Sequence, residues 1–118
     1  MVSNFEKIID ITRELHWEMH YDKYCCELRK KSPCGLEFFF DINIAPDLSQ
    51  REMVSRFMAN FHWQIRNFDP SYEASIYLDD TGHGNASLNA PFDMRDVYNE
   101  MLLCKEMMIE LYDALADG

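Results

Sequence analysis

Apolar and polar side chains alternate most strictly between Leu36 and Ile44. Leu36, Phe38, Phe40, Ile42 and Ile44 point one way, and Glu37, Phe39, Asp41 and Asn43 point the other. A period of two is the signature of a strand with one buried face. Pro46 ends it. A weaker alternation of Tyr24, Cys26 and Leu28 precedes it, and Ser32-Pro33-Cys34-Gly35 lies between the two runs. Pro33 presets the backbone angle of a turn and Gly35 eases its exit, so the pair reads as a β-hairpin.

Elsewhere the period lengthens to that of a helix. Phe5, Ile8, Ile9, Thr12, Leu15 and Met19 define one face of a helix to about Met19, opened by a Ser3/Glu6 capping box. Ser49 and Glu52 form a second box, ahead of the face Met53, Val54, Phe57, Met58, Phe61, Ile65 and Phe68. Asp69-Pro70 stops that helix near Asn67. Ala74 to Leu78 alternates enough for a third strand. A last helix begins near Pro91 or Asp93, with Met94, Val97, Met101, Cys104, Met108, Leu111 and Leu115 along one face.

The expected fold is therefore α+β. It is a small antiparallel hairpin or three-stranded sheet covered by three amphipathic helices, in the order α-β-β-α-(β)-α. At 118 residues the chain fits one domain, 1–118. No repeat or low-complexity tract interrupts it. The residues MVSNFEKIID lack the basic head and apolar stretch of an export signal, and no apolar run reaches the length of a membrane span. A cytoplasmic location is the expectation.

Charge changes the picture more than composition does. The net charge is −10, and it is lopsided. Residues 1–68 carry ten acids and nine bases; residues 69–118 carry eleven acids against only Arg95 and Lys105. Such a field disfavours nucleic acid and anionic membranes and favours a basic partner.

Candidate chemistry is sparse. The stretch Thr81 to Pro91, TGHGNASLNAP, follows Asp79 and Asp80 and puts His83 between two glycines. It matches no phosphate-binding glycine motif and has no adjacent cation to complete one. Asp79, Asp80 and His83 offer a partial ligand set, and the alternative is a plain connection whose Asn and Asp side chains serve local backbone groups. His16 and His20, four apart, would share a helical face but lack the Glu of a zinc-protease helix. Cys25, Cys26, Cys34 and Cys104 lack zinc-site spacing and read as reduced thiols with packing roles. No metal or cofactor is expected.

Two helical faces point to a partner instead. Trp63 falls nearly opposite the apolar face of the second predicted helix, with Arg56 and Arg66 beside it, and Trp and Arg dominate binding hot spots. On the last helix Asp93, Asp96, Glu100, Glu106, Glu110, Asp113 and Asp117 share an arc of about 160°. Leu103 and Met107 lie within it as an i, i+4 apolar pair. The expected function is a non-enzymatic acidic module that binds a basic protein, one that handles nucleic acid. In size, charge and layout the chain is similar to inhibitors from phages and mobile elements, anti-CRISPR proteins included, although no motif carries that likeness. A small ligand- or metal-binding protein or enzyme using Asp79, Asp80 and His83, and a homo-oligomeric structural protein, stand as alternatives; a homodimer is compatible with either face.

Overall fold

A computed structural model describes residues 2–22, 24–33, 36–45, 47–80 and 94–118, with the side chains of 77–80 and 94–96 excepted. Among the described residues seven elements follow in order: α1 (Phe5–Glu14), β1 (Glu18–Tyr21), β2 (Cys25–Lys31), β3 (Glu37–Asn43), α2 (Gln50–Asn67), α3 (Pro70–Asp80) and α4 (Met94–Asp117). The class is α+β, with a three-stranded antiparallel sheet in the order β1-β2-β3. Two details differ from the sequence expectation. The third strand lies at Glu18–Tyr21, ahead of the hairpin, and the segment Ala74–Leu78 belongs to a fourth helix.

The first difference begins at the end of α1. The helix is capped by Asn4, one residue later than the Ser3 box, and its side chain accepts from the Lys7 N–H at 2.9 Å. At the other end His16 takes the left-handed conformation (φ 64°). Its N–H donates to the Arg13 carbonyl at 2.9 Å, and that of Trp17 donates to the Thr12 carbonyl at 3.1 Å. This paired closure ends the helix at Glu14, so Met19 continues into a strand. His16 and His20 therefore share no helical face.

The second difference has an equally local cause. Asp69-Pro70 ends α2 and also starts α3. Proline at the first helical position has no N–H to orphan, and the Asp69 carboxylate accepts from Ser71 N (3.0 Å) and Tyr72 N (3.4 Å).

Within the sheet, Met19 pairs with Leu28 and Leu28 with Phe40, while Cys26 pairs with Ile42. These five side chains and Phe38 form the buried face. On the other face lie Glu18, His20, Glu27, Arg29, Phe39 and Asp41, exposed or half-buried. Asp22 closes the β1–β2 turn by accepting from Tyr24 N (2.7 Å) and Cys25 N (2.9 Å). Ser32 closes the β2–β3 turn: its hydroxyl accepts from Leu36 N at 3.1 Å.

Helix α1 packs on β1, and α2 packs on β3; α4 packs against all three other helices. Phe57 and Phe61 of α2 are fully buried at the centre and meet edge to face, 6.0 Å between centroids. Phe5 on one side and Tyr112 on the other extend this aromatic line. The expected faces of α2 and α4 are buried as read, except that Met53 is half-buried and the Met94 side chain lies outside the described residues. Among the described residues no helix is long and apolar enough to cross a membrane.

Candidate functional site

Helix α4 is the first surface to consider. Its buried stripe of Val97, Met101, Cys104, Met108, Leu111 and Leu115 fixes which side faces out. Directly opposite stand Glu106, Glu110, Asp113 and Asp117, all exposed. Among the described residues none of these four makes an ion pair, and Glu110 contributes only a longer-range attraction to the Lys30 ammonium. Among the described residues these four are the exposed acids of the wider arc read from sequence. Glu100 lies on the flank of the buried stripe, half-buried, with Oε2 shielded from solvent and unpartnered among the described residues. Met107 packs against the core, and Leu103 is half-buried. The Asp96 side chain lies outside the described residues. Leu102 and Ile109, which the sequence reading passed over, are the exposed apolar residues flanking the ridge. Their signal was present: at helical spacing both fall outside the core stripe.

Trp63 takes part in a different feature. It is 63% exposed and borders a cleft of about 600 Å³ between β3, the C-terminal half of α2, and α3. Phe38, Phe40, Phe68 and Met101 form its apolar floor, while Phe39 and Ile76 are exposed at its margin. The lining holds three charged side chains, Glu37, Asp41 and Glu73, and no base. Glu37 faces Lys31 across the sheet at 3.5 Å. Burial, reinforced by nearby Asp69, holds the Glu73 carboxyl above its ordinary range. Gln64 joins α2 to β3, donating from Nε2 to the Asp41 carbonyl at 2.7 Å and to Asn60 at 2.9 Å. Lys105 donates to the Phe68 carbonyl at 2.9 Å, tying α4 to the C-terminal cap of α2.

Asp79 and Asp80 fall in the last turn of α3; their side chains, and His83 with the rest of 81–93, lie outside the described residues. Among the described residues no three His, Cys, Asp or Glu side chains gather as a metal-ligand set. Cys25, Cys26 and Cys104 are free thiols. Burial pushes Cys26 up to about 12 and raises Cys104 further, which makes both poor nucleophiles.

Compared with models of known protein families, with curated proteins and with solved structures, the chain matches none.

Proposed function

We propose that this chain is a non-enzymatic protein-binding module that docks on a basic partner through the outer ridge of α4. One observation carries the reading: Glu106, Glu110, Asp113 and Asp117 stand exposed in a row, and no described lysine or arginine pairs with them. Like charges at i, i+4 cost a few tenths of a kcal/mol per pair, a cost a basic partner would reverse. The row is roughly 16 Å long at the rise of an α-helix. Leu102 and Ile109 beside it supply apolar contact that loses water on docking, while the carboxylates steer and orient.

The most specific form of this reading is an inhibitor whose carboxylates occupy a groove that normally holds phosphates in a nucleic-acid-handling protein. The free thiols Cys25, Cys26 and Cys104 fit a reducing compartment, which favours action in the cytoplasm. The test compares tagged wild type with Glu106→Lys/Glu110→Lys in capture from extracts of the native host. Capture of a basic protein at low salt is expected for the wild type and lost in the variant, with both giving the same circular dichroism. Equal capture by the two proteins would end this proposal.

A further inference from the structure

The open edge of β3 is the place where the fold leaves hydrogen-bonding capacity beside an apolar cleft. Its orientation follows from two bonds. The Ile44 N–H donates to Tyr24 on the β2 side (2.8 Å), whereas the Asp41 carbonyl is reached by Gln64 from the opposite side. A residue's N–H and C=O share one edge of a strand and alternate along it. Glu37, Phe39 and Asp41 therefore turn their backbone groups away from β2. Among the described residues no strand pairs with that edge.

We propose that this edge accepts an extended, basic–apolar segment of a partner protein as a fourth strand. The inference rests on the protein-binding reading but assigns a site separate from the α4 ridge. Backbone groups of Phe39 would anchor the segment, and its alternate side chains would face opposite ways. Those turned into the cleft meet Trp63, Phe68 and Ile76. Those turned outward meet Asp41 and Glu37, and a cation reaching inward meets Glu73. Every charged side chain lining the cleft is acidic, and Glu37 already faces Lys31. Asp41 and Glu73 are without an ion pair among the described residues, so the complementary segment carries Arg or Lys. A second copy fits poorly. Two β3 strands paired antiparallel about Phe39 would set Glu37 of each copy opposite Asp41 of the other, a like-charge cross-strand contact.

The test uses synthetic nonapeptides: alternating Arg and Val, the same with Glu for Arg, and the Arg–Val peptide N-methylated on either alternate set of residues. Binding is read from slowed amide exchange at Phe39 and Asp41 in every variant and, where Trp63 is kept, also from its fluorescence. The Arg–Val peptide is expected to bind and the Glu–Val peptide not, with N-methylation of one set, not both, abolishing binding. Trp63→Ala, a substitution at an exposed site, and Asp41→Lys should each weaken binding about tenfold, the loss of one hot-spot contact. Glu106→Lys/Glu110→Lys should leave it intact, which separates this site from the ridge. Failure of every peptide to bind, indifference to N-methylation, or loss of binding in the ridge variant would overturn the proposal. So would protection of Phe39 and Asp41 that rises with protein concentration alone, since that would put a second copy on the edge.

Discussion

Thr12 is fully buried in the last turn of α1, and its hydroxyl oxygen has no hydrogen-bond partner among the described residues. A buried hydroxyl left unpaired costs about 1–3 kcal/mol of lost hydration. Valine has the same shape, carries no polar atom, and differs little from threonine in helix propensity. Thr12→Val should therefore stabilise the protein by about 1 kcal/mol, the low end of that range. At a urea slope of about 2 kcal/mol/M this raises the unfolding midpoint by roughly 0.5 M, with the slope unchanged. Two companions isolate the cause. Thr12→Ser keeps the hydroxyl and loses the methyl, which costs about 1 kcal/mol through lost burial and the space left behind. Thr12→Ala loses both groups, so the two effects offset. The expected stability order is Val above Thr and Ala, with Ser lowest, by urea titration followed at 222 nm. A hydroxyl bonded in solution to the helix carbonyl four residues back would invert the order at its top. Valine falling 1 kcal/mol or more below wild type would refute the reasoning.

Two further outcomes follow from the fold. His16→Gly relieves a left-handed backbone whose steric cost is about 1–2 kcal/mol for a side-chain-bearing residue, partly offset by glycine's greater freedom when unfolded. A net gain of about 0.5–1 kcal/mol in thermal unfolding is expected, and a loss would show that the imidazole makes a contact worth more than the strain. The Glu73 carboxyl is held above its ordinary 4.5 by burial and by Asp69, so its folded state prefers the proton. Its stabilising effect is complete below that value and disappears as pH rises through the higher folded value. Glu73→Gln should therefore exceed wild type in stability by more at pH 7 than at pH 4, and a gap independent of pH would contradict this.

How much was legible in the sequence depended on how local each signal is. The alternation from Leu36 to Ile44 and the Ser49 cap with its apolar stripe each announce themselves within one element, and β3 and α2 formed where expected. The strand at Glu18–Tyr21 did not announce itself. It is four residues long, Leu15 and Met19 extend the helical spacing of α1 into it, and the stop is a histidine in a conformation that glycine usually marks. Asp69-Pro70 was legible as an end but not as a beginning, and this left Ala74–Leu78, inside α3, to be read as a strand. On α4 the periodicity identified a ridge, but it does not say that Glu100 is half-buried or that Met107 packs against the core. The cleft was beyond reach. Trp63 was singled out, yet Phe39 and Ile76 come from segments far apart in the chain, and only tertiary packing assembles them.

The composition of β3 has a colloidal consequence. Phe38, Phe39 and Phe40 run consecutively on an outer strand, a stretch with the bulk and β-preference from which fibrils nucleate. Glu37 and Asp41 bracket the run as charged gatekeepers. Repulsion between negatively charged copies adds to their protection, and the sequence pI is about 4.6. Near that pH the protein carries no net charge and copies no longer repel one another, so storage well above it keeps the aromatic run guarded.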